Sequence, residues 1–170
     1  MPPYAPRSFA CKIDKIEMKT LVLGLGNPIL TDDGVGVWVA ESVQRMLPAD
    51  APVDVREASV GGLMLMEMML GYDRVILIDA YCPSNRQPGV VHRFTLDDLR
   101  AIGATQHSAS AHDAGLITAL EMGRRMGLPL PDEIVIYAVE VENISDFGEE
   151  PSPAVAGAIP TAAAAVLAEL

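Results

Sequence analysis

Residues 21–36 read LVLGLGNPILTDDGVG, and the order of events in them decides the fold class. An apolar, β-prone run at 21–25 breaks into the loop Gly24-Leu25-Gly26-Asn27-Pro28. Asp32 and Asp33 then open a segment, 33–46, in which Val35, Val39, Val43 and Met46 recur at helical spacing. Strand, glycine turn and acidic helix start, in that order, turn backbone groups and carboxylates toward one crevice.

Outward from this stretch the alternation continues. Residues 53–56 read as a short strand and 62–70 as a helix. The run Arg74-Val-Ile-Leu-Ile-Asp79 is an apolar strand ending in a carboxylate. A loop with proline and glycine, 83–89, leads to a strand at 90–94 and a helical turn at 97–100. A helix at 113–126 is stopped by Gly127 and Pro129; a strand at 133–139 and an alanine-rich helix at 152–170 follow. Strands alternating with helices predict an α/β sandwich, with helices on both faces of a twisted, mostly parallel sheet. The 90–94 strand follows Asp79 with too little chain for a helical crossover. It is therefore expected to pair antiparallel, which makes the sheet mixed.

A length of 170 residues suits one domain, and 50% apolar residues suit a packed core. Residues 1–18 read as an N-terminal extension, with early prolines, mixed charge and no period; 19–170 read as the domain. No apolar run reaches the roughly 20 residues of a membrane span, and the first residues lack the pattern of a secretory signal. No membrane partner and a cytoplasmic location are expected. The formal net charge of −11 would repel a phosphate backbone, so nucleic acid is a poor partner. Two cysteines, Cys11 and Cys82, are too few for a disulfide framework.

In open α/β sheets ligands bind outside the carboxyl ends of the strands, and the chain places three chemical groups at such positions. Asp32 and Asp33 follow the first strand, where helix capping and metal ligation both fit; capping suits Asp32 better than Asp33. Gly34 and Gly36 weaken a helix and suit a place where something approaches the backbone closely. Asp79 ends a buried strand and must reach solvent, cap a turn or find a partner, because an unpaired buried carboxylate is costly. His112 leads into a helix, whose N-terminus disfavours imidazolium and keeps the ring available to a metal; a solvated loop histidine is the plainer reading. Asp33, Asp79 and His112 together form an O/O/N set that suits divalent ions without holding one tightly. His92 and His107 receive no role. Gly24-x-Gly26 lacks the third glycine of the dinucleotide fingerprint, which excludes a Rossmann site. The methionines of 63–70 suit core packing, with a partner surface as the second reading.

Three separated motifs now fall in order: Gly24-x-Gly26-Asn27 with Asp32-Asp33-Gly34-x-Gly36, then Ile78-Asp79-Ala80, then Ser110-x-His112 before Leu116 and Leu120. In these the chain, from about Leu21 onward, resembles the hydrogenase maturation proteases, endopeptidases that trim the large subunit of nickel–iron hydrogenases. The resemblance implies that Asp33, Asp79 and His112 are both the metal-contacting and the catalytic residues. It implies nickel carried by the precursor substrate, with no tightly held metal of the enzyme's own, and removal of a short C-terminal peptide. Many members carry glutamate at the position of Asp33, and Glu57 is a loose match to an acidic residue after the second strand. Two alternatives stand beside this reading: a non-catalytic nickel-sensing chaperone with the same ligands, and a peptidyl-tRNA hydrolase. The latter shares only the Gly-Leu-Gly-Asn-Pro loop and lacks a histidine soon after it.

Overall fold

The computed structural model of the protein describes residues 18–105 and 113–170. Five strands form one mixed sheet: β1 (Thr20–Leu25), β2 (Val53–Ala58), β3 (Arg74–Tyr81), β4 (Val91–Thr95) and β5 (Glu133–Glu140). Their order is β2-β1-β3-β5-β4, with β4 antiparallel to β5 and every other pair parallel. The short connection from β3 to β4 thus has the predicted consequence, an antiparallel edge strand.

Alternation along the buried strands loads both faces of the sheet. Val22, Ile76, Val135 and Val139 pack against α1 (Val35–Met46) and α5 (Pro153–Glu169). Leu21, Leu23, Leu77 and Ile136 pack against α2 (Gly62–Met68), α3 (Leu96–Thr105) and α4 (Asp113–Arg125). β1 is buried at every position, so its sequence is apolar throughout instead of alternating.

Most element ends fall within two residues of expectation. The exception is α3, a ten-residue helix where only a turn was expected. Two features explain it. Thr95 and Asp98 form a reciprocal cap: the Thr95 N–H and hydroxyl donate to Asp98 Oδ2, and the Asp98 N–H donates to Thr95 Oγ1. These bonds hold the Asp98 carboxyl below its ordinary pKa. Leu99 then anchors the helix in the core.

The end of α5 is tied to the sheet by one carboxylate. Glu169 accepts from Arg93 Nε and Nη2 at 2.8 and 3.0 Å, from Arg74 Nη2 at 2.5 Å and from the Tyr137 hydroxyl at 2.8 Å. Above all the Arg93 hydrogen bonds, and then Tyr137, hold its pKa down to about 2. The last turn of the chain is thereby fastened to β3, β4 and β5.

Gly24 and Gly36 let α1 lie directly on the sheet. A Cβ on Gly36 would stand 2.2 Å from the Leu25 carbonyl oxygen and 2.3 Å from that of Ile78; one on Gly24 would stand 2.3 Å from the Gly36 carbonyl oxygen. What approaches the backbone here is backbone, so these glycines serve helix–sheet packing. Gly36→Ala is expected to destabilise the fold by about 3 kcal/mol, because main chain on both sides must move to admit the methyl. A urea midpoint equal to wild type would contradict this packing.

Candidate active site

All four parallel strands end at one edge of the sheet, and the chain reverses direction across it. From β1 it moves by α1 to β2 on one side; from β2 it moves by α2 to β3 on the other. The switch point therefore lies between the carboxyl ends of β1 and β3, where open α/β sheets place their ligands. Asp33 lies in the loop leaving β1, and Asp79 lies near the end of β3. The first turn of α1 spans both strands, since Gly36 abuts the carbonyls of Leu25 and Ile78. Two of the predicted residues thus lie at the same strand-end edge, beside the switch point.

Asp33 is half-buried, and its Oδ2 accepts the Asn27 N–H at 2.8 Å. Its own N–H donates to the Leu30 carbonyl at 2.8 Å. Gly26, at a φ of 129°, makes the turn possible: a Cβ there would stand 1.9 Å from the Asp33 carbonyl oxygen. Asp79 is only 3% exposed, and its Oδ1 accepts the Ala80 N–H at 2.8 Å. It pairs with Ala138 in the register of β3 and β5. By alternation from Leu77 it lies on the sheet face that carries α2 and α4.

The helix starts later than the acidic pair suggested. α1 begins at Val35 with Gly34 as N-cap and no side-chain cap, so neither aspartate caps it. Asp32, fully buried, instead binds a distant loop. It accepts the Ser152 N–H at 2.7 Å through Oδ1, and those of Asn143 and Glu142 at 3.2 and 3.4 Å through Oδ2. Asp32 is the loop clamp, and Asp33 is left half-exposed at the strand-end edge.

His112, the third predicted residue, lies outside the described residues, as do His107 and Cys11. The loose match, Glu57, falls elsewhere. Glu57 is exposed and lines a hollow with Glu41, Gln44 and Arg45 of α1. Cys82 is a free thiol packed against the core on the α1 and α5 face, opposite to Asp79. Among the described residues, no group of three His, Cys, Asp or Glu side chains converges to hold a metal.

The structure also shows a pair that the sequence reading passed over. His92 Nε2 and Glu140 Oε1 lie 2.6 Å apart at the same sheet edge, and Glu140 Oε2 accepts the Gln87 N–H at 2.5 Å. His92 stacks on Phe94 with centroids 5.4 Å apart and meets the edge of Tyr81 at 5.8 Å. His92 and Asp79 both stand opposite Ala138, on its two sides. The pair pins the loop that joins β3 to β4 beside the crevice. A signal was available: Glu140 closes the apolar run 134–139 just as Asp79 closes 75–78, whereas its partner was set by the β4–β5 register.

The family model of the hydrogenase maturation proteases matches residues 37–169 of the chain. The chain belongs to this family. It is therefore an endopeptidase by class, with Asp79 and His112 inside the matched stretch and Asp33 just before it. Among curated proteins, the hydrogenase 2 maturation protease of Escherichia coli strain K12 is 29% identical over 127 residues, covering 75% of this chain and 76% of that protein. A hydrogenase expression/formation protein HupD of Rhizobium leguminosarum bv. viciae is 27% identical over 162 residues, covering 95% and 72%. The solved hydrogenase maturating endopeptidase HybD of E. coli superposes with a TM-score of 0.76 at 28% identity, covering 90% of this chain and 92% of that one. The [NiFe] hydrogenase maturation protease HybD of Thermococcus kodakarensis shares the fold, with a TM-score of 0.68 at 24% identity, covering 89% and 98%. The predicted mixed α/β sandwich is thus the maturation protease fold.

Proposed function

We propose that this endopeptidase removes a short C-terminal peptide from a nickel-loaded hydrogenase large-subunit precursor, with Asp33, Asp79 and His112 as the residues that contact the metal and serve the cleavage. The observation that supports the reading is that the loop of Asp33 and the end of β3 carrying Asp79 flank the β1/β3 switch point of a maturation protease fold. Two carboxylates and an imidazole complete the coordination of an ion that the precursor already holds, without retaining it once the product leaves. Nickel is in this reading part of the substrate. Carried there by the precursor, it would supply polarisation of the scissile carbonyl or orientation of the attacking water. Water adds to that carbonyl, a carboxylate of the pair takes the proton, and the proton passes to the amine of the departing peptide.

No helix among the described residues is long and apolar enough to cross a membrane. Action in the cytoplasm, on a newly made precursor, belongs to the same proposal.

The test is mass spectrometry of a nickel-loaded large-subunit precursor from the same source, incubated with the protein. Loss of a C-terminal peptide, dependent on nickel in the precursor, is the expected result. Nickel-dependent binding without any cut would replace the protease by the chaperone. Equal cutting of nickel-free precursor would remove the metal from recognition.

A further inference from the structure

The loop that follows β5, residues 141–152, is built into the loop that carries Asp33. Asp32 accepts three of its N–H groups, the Thr31 hydroxyl donates to the Asp146 carbonyl at 2.8 Å, and the Gly148 N–H donates to the Ile29 carbonyl at 3.1 Å. Leu30 and Phe147 form an isolated antiparallel bridge. Asn143 closes the loop from within, accepting from Ser145 and Asp146 at 3.3 and 3.1 Å. The two loops are one body, and Asp33 is part of it.

On that body Phe147 is 84% exposed and Ile29 50% exposed. Their backbones are held from both sides, so these side chains are presented to solvent by construction. A large aromatic left in water costs apolar hydration that a partner would relieve. The surrounding chain is acidic: Glu142, Asp146, Glu149 and Glu150 are all exposed, and no Lys or Arg occurs between 141 and 152.

We infer that Phe147 and Ile29 form a docking platform for the precursor protein, receiving an apolar side chain of a segment that carries Lys or Arg beside it. Docking there seats the scissile bond at Asp33 and Asp79. This rests on the function proposed above. Three observations commit the platform to this occupant: its bonded continuity with the Asp33 loop, the rigidity with which Phe147 is displayed, and the excess of carboxylates on residues 141–152, four against the neighbouring Arg86 that donates to the Glu142 carbonyl at 2.9 Å.

The test separates KM from kcat for nickel-loaded precursor, using Phe147→Ser with Ile29→Ser, and Glu149→Lys with Glu150→Lys. Neither pair touches the core or the crevice. The first is expected to raise KM about tenfold, the size of an interface anchor, with kcat within about twofold of wild type. The second is expected to raise KM severalfold and to flatten its dependence on salt. If the first pair leaves KM unchanged while wild type cleaves, the platform is overturned and the protease stands. An unchanged salt dependence in the second overturns the cationic part. If wild type binds precursor without cutting it, the protease reading fails; the platform is then judged by the Kd, which the first pair must weaken about tenfold. If wild type neither cuts nor binds, both fall.

Discussion

Asp79→Asn is expected to lower the rate of precursor cleavage by about 10³-fold, the loss typical when a positioned acid–base or metal-contacting group is removed. The substitution keeps the size of the side chain and an oxygen that can accept the Ala80 N–H, now made at 2.8 Å. What disappears is the negative charge at the switch point. The expected signature is thus a catalytic loss with a thermal midpoint within a few degrees of wild type. Single-turnover mass spectrometry reads the rate, and a melting curve reads the fold. Cleavage at the wild-type rate would remove Asp79 from the mechanism and, with it, the role assigned to the crevice.

The second large effect is on stability. Asp32→Ala should destabilise the protein by about 4 kcal/mol, because three backbone donors lose their charged acceptor together. At this chain length that corresponds to a melting point lower by about 10 °C. Asp32→Asn should help little: its oxygen can still serve Ser152, but its amino group then faces the donors of Asn143 and Glu142. Activity should fall below the melting transition as well, since the released loop frees Leu30 and Phe147 from each other and loosens the segment bearing Asp33. The observation that would falsify the clamp is an Asp32→Ala protein with the wild-type melting point.

Asp32 and Asp33 show where sequence reasoning reached its limit. Adjacent, chemically identical and both preceding a helix, they differ only in which way the turn aims them. That direction follows from hydrogen bonds to Asn27 on one side and to residues 110 to 120 positions away on the other. A pattern window of one or two turns contains no such partners. The same holds for Gly36, whose neighbours are the carbonyls of two different strands, and for His92, whose partner Glu140 lies across the β4–β5 register. The capping of α3 is the opposite case: Thr95-Leu-Asp-Asp98 is a local signal, legible at a spacing of three residues and passed over.

The chain by itself determined the properties that depend on near neighbours and on burial. The apolar runs at 21–25 and 74–79 could only be strands covered on both faces. The short passage from Asp79 to the next strand favoured an antiparallel return, and the motifs put Asp33 and Asp79 where both can occupy one edge of the sheet, with their distance left open. Tertiary structure alone decided which strands stand side by side, and so where the switch point falls. It also made one aspartate a clamp and left the other half-exposed at the strand-end edge, and it fastened the loop of Phe147 to that of Asp33. The physical reason is range. Helical and strand periodicity are set by contacts within a few residues, whereas a buried carboxylate takes whatever donors the finished fold brings to it.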